Sequence, residues 1–538
     1  MARRPDIAAA VLVVGVAVAL WLPRTRGPID LRWDAGVYYI LGTSLAEGHG
    51  YRLLSEPGQI RAVQYPPLLP AIVAVHERLL GTSDPTTVGV WLRRTAFVVF
   101  VAFAVVLLWF FRSHLPMPEA VLGAAVSLLT MHLWFLSDTL FPEVWFGLAT
   151  LLFLIFVRKR GAAQVAAYAF ALASYALRTV GVAAFVVWVA DSVIRRRFRE
   201  AAIRAMLALV PMVAWQGYVA MVEHSDEYTH PAYEYQRAPY MFYNVSYARN
   251  LALRDPFDPQ KGSVKLVRRV ARDSLELSTS LGEILTIKRG YLEYGLQLVF
   301  GGGAAAHRMI AAGVLGALWI VGLVLVGGGI VLQLRHGDWP APLYLLVYLG
   351  ALSVTPFPAQ YLRYLAPVAA LPVLSALVLL RMRGTRTTLL AFVPTLFLQL
   401  ALVTHVYARE YEPVAYRDAC DRPVAYSLFF YSASDRDFDD AVGYLRSHAH
   451  APQIVAAGTP HWVYLRTGLQ AVMPPFEHDP PKAQHLLERV PVDYLLVGRD
   501  VIESQRFTVP VVQTFPERWE RVYSGTAGSW TVYRRIAR

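Results

Sequence analysis

Cysteine is nearly absent: Cys420 stands alone in 538 residues, which excludes an intramolecular disulfide framework and a cysteine-ligated metal cluster. Charge is scarce too, with 17% Asp, Glu, Lys and Arg against 56% apolar residues. With a mean hydropathy of +0.39, this excludes an ordinary soluble chain and implies an integral membrane protein. No fixed-period repeat occurs, which argues against a solenoid or propeller, and no matched pair of interrupted apolar segments marks an inverted-repeat transporter. No A-x-A signal follows Trp21-Leu22-Pro23, so the apolar run from Ile7 to Leu22 is expected to remain as an uncleaved first helix.

What is present is a series of apolar segments of spanning length, at roughly 7–22, 95–111, 119–136, 143–157, 162–177, 179–193, 204–221, 309–333, 341–355, 364–380 and 387–406. The expectation is a polytopic all-α membrane protein of about eleven transmembrane helices. The net charge of +12 does not point to nucleic acid, because arginines form short runs between apolar segments rather than one basic face. Arg3/Arg4, Arg112, Arg158-Lys159-Arg160, Arg195-Arg196-Arg197, Arg335 and Arg381/Arg383/Arg386 occupy alternate connections, so that side and the N-terminus are expected to be cytoplasmic. Arg93-Arg94 is the exception. The outer side receives the loops 23–94 and 222–308, the turns at 137–142 and 355–363, and the Arg178-Thr179 junction.

After about residue 410 the composition becomes that of a soluble α/β domain, which divides the chain into a membrane part, 1–410, and an extracytoplasmic part, 411–538. Ile454 to Ala457 and Tyr494 to Val497 read as buried strands, Pro481 to Val490 as a helix, and Trp519 to Tyr523 with Trp530 to Arg534 as a hairpin. His448, His450 and His461 lack a third ligand at metal spacing and are expected at the surface.

The chemistry-bearing residues gather on the outer side. The first loop runs Asp34-Ala35-Gly36-Val37-Tyr38-Tyr39, then Leu45-Ala46-Glu47-Gly48-His49-Gly50-Tyr51, then Gln64-Tyr65-Pro66-Pro67-Leu68-Leu69-Pro70. Asp138-Thr139-Leu140-Phe141-Pro142-Glu143, Tyr175 to Gly181 around Arg178, and Gln360-Tyr361-Leu362-Arg363-Tyr364-Leu365-Ala366-Pro367 follow. In order and spacing, over roughly residues 7–380, these segments resemble the GT-C superfamily of lipid-linked-sugar glycosyltransferases. Within it they resemble the family 39-like enzymes related to protein O-mannosyltransferases and the lipid A aminoarabinose transferase.

The resemblance implies a GT-C fold in a bacterial inner or plasma membrane, and transfer of a sugar from a polyprenyl-phosphate donor to a lipid, glycan or protein acceptor that the sequence leaves open. It implies Asp34 as base, with Tyr38, Tyr65, Asp138, Glu143 and Tyr361 as site neighbours. It also admits a divalent metal held by outer-loop acids such as Asp34, Asp138 and Glu143. The residue types suit this chemistry independently: a carboxylate takes the acceptor proton, and guanidinium groups, here Arg178 and Arg363, grip phosphate oxygens in pairs. Protein O-mannosyltransferases carry adjacent Asp-Glu where Asp34 is followed here by Ala35, a departure that sets any role needing the second carboxylate aside.

Each residue has a plainer alternative. Asp34 could cap the helix that follows it, Asp30 sits nearer the first span, Glu143 could be a first-turn helix acid, and Arg178 and Arg363 could snorkel to headgroups. Tyr65 could serve mainly to set a Pro-Pro loop. A lipid-linked saccharide transporter or a non-catalytic envelope assembly protein would also account for the apolar bundle. The topology is testable by reporter fusions: a fusion at Arg538 is expected to be active only outside the cytoplasm, and cytoplasmic activity would overturn the alternation.

Overall fold

In the computed structural model, which describes residues 4–286, 288–300, 304–417 and 422–536, each of the eleven apolar segments contains a helix. Cys420 and Arg3 lie outside the described residues. Length separates these helices into two groups. Asp6–Arg24, Pro85–Arg112, Phe198–Glu223, Arg308–Arg335 and Thr385–Arg409 are long and apolar enough to cross a membrane, and Pro358–Val368 with Ala370–Arg381 makes a sixth candidate bent by 65°. The others, such as Met117–Leu128 and Glu143–Phe156, have 12 to 15 residues. At ~1.5 Å per residue these reach about 20 Å, short of a ~30 Å hydrocarbon core. By length and composition, five helices, or six with the bent pair, are candidate spans. A hydropathy window reads apolar composition and does not register the turns that stop these helices inside the bundle.

The polar connections separate to opposite ends. At one end Arg112 pairs with Asp6 at 3.6 Å, Arg158 with Asp338 at 3.3 Å and Arg204 with Asp191 at 3.3 Å. At the other end the first loop, the 222–308 loop and the C-terminal region meet. There the Ala471 amide donates to the Ser55 carbonyl at 2.9 Å and the Tyr235 hydroxyl to the Met473 carbonyl at 3.0 Å. Arg93, the topological exception, has a local reason. It forms a bidentate pair with Asp138, both contacts 2.6 Å, and both residues are buried.

The C-terminal region contains a hairpin, β1 (Tyr411–Arg417) and β2 (Pro423–Phe429), and a five-stranded sheet. The sheet holds β3 (Ile454–Ala457), β4 (Ala471–Val472), β5 (Val492–Gly498), β6 (Trp519–Ser524) and β7 (Trp530–Arg535), in the order β4-β3-β5-β7-β6. The three strands β4, β3 and β5 are parallel; β7 and β6 add antiparallel. Asp437 accepts the backbone amides of Ala527, Ser529 and Trp530, which fixes the β6–β7 turn and with it Trp530. The region is not packed apart from the bundle: Phe429 lies against Trp134 and Tyr407, and one apolar core runs through both.

Arg93→Met strands the Asp138 carboxylate in the interior, so it is expected to cost about 3–5 kcal/mol, whereas Arg93→Met with Asp138→Leu should recover most of that loss. Recovery of monodisperse protein after heating in detergent measures it. An equally unstable double variant would show that the pair does more than neutralise itself.

Candidate active site

Asp34 occupies the position just before the helix Ala35–Ala46, but its side chain makes no capping hydrogen bond. The backbone explains this. Trp33 lies in the left-handed region at φ 55°, a conformation that costs a bulky residue ~1–3 kcal/mol and persists only when its surroundings hold it. Here the Arg32 guanidinium covers the indole at 4.6 Å, while Arg32 itself is clamped by Asp30 and the Phe429 carbonyl. The strained turn releases the Asp34 carboxylate from the helix N-terminus and leaves it on the wall of a cavity of about 1040 Å³. Asp30 is spent: it is 2% exposed, pairs with Arg32 at 2.8 Å and does not line the cavity.

Two chain breaks supply the cations. Arg178 is an extended residue between the helix Ala163–Leu177 and a single 3-10 turn, Thr179–Gly181. A Cβ at Gly181 would stand 2.5 Å from the Ser174 carbonyl carbon, so only glycine allows the chain to turn back so tightly. Arg363 lies in the short helix Tyr361–Leu365, which ends at the Pro367-containing break of the bent pair. Glu143, in the first turn of Glu143–Phe156 and fully buried, stands behind both. Its Oε1 accepts from Arg178 Nη1 at 2.7 Å and from Arg363 Nε at 2.7 Å. Arg363 Nη1 then reaches Asp34 Oδ2 at 2.9 Å, and the Tyr243 hydroxyl donates to Asp34 Oδ1 at 3.1 Å. Arg178 lies over the Tyr364 ring at 4.6 Å and Arg363 over Phe141 at 3.9 Å, contacts that hold the guanidinium planes in place.

Asp34, Glu143, Arg178 and Arg363 thus form one continuous network. Tyr38 and Tyr65 line the same cavity, their rings 4.7 Å apart. Asp138 and Tyr361 do not join them: Asp138 is held by Arg93, and the buried Tyr361 hydroxyl donates to the Leu352 carbonyl. Tyr364, three residues on, faces the cavity instead. Snorkelling does not describe Arg178 and Arg363, whose side chains are 16% and 13% exposed and engaged with carboxylates.

Two wall residues beside Asp34, namely Tyr243 and His461, are not marked as site residues by the sequence pattern. Tyr243 belongs to the tyrosine-dense stretch Tyr233, Tyr235, Tyr240, Tyr243 and Tyr247, and that density is the available signal. Burial pushes its hydroxyl well above the ordinary range, so it remains a donor to Asp34. His461, expected at the surface, is 2% exposed and lines the cavity. The helix Pro460–Thr467 packs on Ala35–Ala46 so closely that a Cβ at Gly36 would lie 2.6 Å from the His461 ring. His448 and His450 are exposed.

The donor set does not fit a divalent metal. The Arg363 guanidinium occupies the position between the Asp34 and Glu143 carboxylates, and both Asp34 oxygens already accept hydrogen bonds. Glu143 Oε2 alone is left without a partner, where Mg²⁺ or Ca²⁺ needs about six oxygens. Among the described residues no group of three His, Cys, Asp or Glu converges.

No protein-family model and no curated protein sequence matches the chain. Solved structures do. The oligosaccharyltransferase of Archaeoglobus fulgidus in complex with Zn and sulfate superposes with a TM-score of 0.53 at 13% identity, over 98% of this chain and 73% of that one. The archaeal oligosaccharyltransferase AglB from Archaeoglobus fulgidus, in complex with an inhibitory peptide and a dolichol-phosphate, superposes at 0.50 and 11% identity, over 99% and 74%. ArnT from Cupriavidus metallidurans bound to undecaprenyl phosphate gives 0.44 at 14% identity, over 98% of each chain, too loose to bear on the fold. The chain has the fold of these archaeal oligosaccharyltransferase structures. It is an integral membrane protein.

Burial pushes the His461 imidazole from its ordinary 6.5 down to about 4, with the Asp34 carboxylate opposing in part. An unfolded chain protonates this residue near pH 6.5 and the folded chain only near pH 4. Stability is therefore expected to fall as pH drops through that window and to be independent of this group above it. His461→Asn should flatten the decline, measured as the thermal midpoint in detergent between pH 4 and 7. An unchanged slope would remove His461 as its source.

Proposed function

We propose that the chain is an inverting membrane glycosyltransferase that moves a sugar from a polyprenyl-phosphate donor to an acceptor on the outer face of a bacterial plasma membrane. In this reading residues 1–410 form the membrane part and 411–538 an extracytoplasmic part. The observation that carries it is the shared guanidinium: Arg363 contacts Asp34 and Glu143 at once, on the wall of a large cavity. A lipid-phosphate donor is further supported by the dolichol-phosphate in the AglB complex.

The donor phosphate enters beside Arg178 and Arg363, whose remaining N–H groups form planar forks suited to it. Phosphate and Asp34 then compete for Arg363. As the phosphate takes the guanidinium, Asp34 loses its ion pair and is free to act as base. The acceptor heteroatom attacks the anomeric carbon, its proton passes to Asp34, and the bond from that carbon to the phosphate oxygen breaks with its electron pair on the phosphate. Arg178 and Arg363 stabilise that charge, and Glu143 keeps both in register. Leu177, Val180 and Leu352 line the cavity as an apolar wall for the prenyl chain.

Purified protein incubated with labelled polyprenyl-phosphate sugars is expected to release free polyprenyl phosphate. Asp34→Asn should lower turnover by about 10²–10⁴ fold, the usual contribution of a general base. Arg178→Lys or Arg363→Lys should lower it by roughly tenfold to a hundredfold, as a point charge replaces the fork. Donor binding with no release of polyprenyl phosphate by the wild type would point to a transporter or an assembly protein. Undiminished turnover in Asp34→Asn would sink the base assignment alone.

A further inference from the structure

The cavity has two unlike sides. Arg178, Arg363 and Lys288 lie on one, and His461, Asp500, Glu503 and Trp530, all from the C-terminal region, lie on the other. Gly458 and Thr459 follow β3, and Asp500 and Glu503 follow β5; these strands are parallel, so the second side lies outside their carboxyl ends, the place where open α/β sheets bind ligands. Among the described residues Asp500 and Glu503 have no ion-pair partner, whereas Asp435 beside them is paired with Arg32. Trp530 is pinned by Nε1 to the Ser434 hydroxyl at 3.3 Å and edge-on to Phe438 at 4.8 Å.

His461 is the independent sign of a ligand. It is 2% exposed, and neither ring nitrogen makes a hydrogen bond of normal geometry, although the Trp33 backbone lies beside it. The ring cannot turn away, because it is packed on Gly36, two residues from Asp34. A buried polar atom without a partner is costly unless a ligand completes it.

We infer that this side of the cavity is the acceptor subsite and that it takes an uncharged, polyhydroxylated acceptor, a sugar residue of a glycan or glycolipid, with His461 hydrogen-bonding the attacking hydroxyl. The inference rests on the glycosyltransferase reading for the word acceptor, but the binding it describes does not. Free carboxylates accept from hydroxyl groups and repel phosphates. Trp530, 8% exposed, contributes to the same lining. A cationic acceptor would meet like charge from Arg178, Arg363 and Lys288 in the same cavity. A peptide strand would pair with a sheet edge, and the strand ends that face the cavity offer none.

Saturation-transfer NMR on the full chain in detergent, without donor, tests this with methyl glycosides of neutral hexoses, their 6-phosphates and a lysine-containing peptide. Transfer to a neutral glycoside is expected, and neither to the phosphates nor to the peptide. Asp500→Asn with Glu503→Gln should weaken it by about tenfold or more and His461→Gln by about three- to tenfold. The double variant lies at the cavity surface, so it keeps the test open if His461→Gln misfolds. No transfer to any neutral glycoside, transfer to the phosphates or the peptide instead, or indifference to the double variant would overturn the inference. Neutral-glycoside binding that needs Asp500 and Glu503, in a protein that never releases polyprenyl phosphate, would uphold the subsite and sink the transferase reading.

Discussion

The ion pairing of Arg363 is the constraint on which the site depends. One guanidinium touches Asp34, at the start of the helix Ala35–Ala46, and Glu143, at the start of Glu143–Phe156, while Glu143 also holds Arg178 from a third helix junction. Two cations and two carboxylates balance, so no net charge is left in a poorly solvated place. Such a buried network is weak evidence for stability, since desolvating the charges offsets much of their attraction. Its use lies in position. The cations are held apart from bulk water with unused donors facing a cavity, and the carboxylate that neutralises one of them can exchange with an incoming anion.

The surrounding architecture brings these groups together through irregular backbone. The site cations come from a one-residue gap between two helices and from a short helix before a proline break, and Asp34 comes from a turn strained at Trp33. Regular helices would direct the same side chains along their own faces. Around the breaks, the paired and buried Arg93 and Asp138 hold the first loop against the turn at 137–142, and the Asp30 and Thr139 backbones form a bridge. Residues that look like site acids in the sequence therefore divide into two groups: Asp34 and Glu143 at the cavity, Asp30 and Asp138 in the frame that shapes it.

The C-terminal region is part of the same object. Its β1–β2 hairpin continues from the last bundle helix, Phe429 packs among bundle aromatics, and the helix Pro460–Thr467 seats a histidine on the backbone beside Asp34. One side of the cavity is bundle and outer loop, the other is sheet. Tertiary contact between distant segments makes this enclosure.

The sequence by itself determined that the chain is a membrane bundle followed by an α/β region, because apolar composition and strand alternation are local properties that burial in lipid or in a sheet requires. It also singled out Asp34, Arg178 and Arg363, because charge beside an apolar segment is costly and therefore conspicuous. It could not separate Asp138 and Tyr361 from true cavity residues, since a motif's neighbours in sequence need not share its face. Only the tertiary structure decided which carboxylate meets which guanidinium, placed the first-turn Glu143 between two arginines, and brought Tyr243 and His461 to Asp34 from 209 residues and some four hundred residues away. Those pairings depend on chain reversals and on close approach at Gly36 and Gly181, which no local pattern encodes.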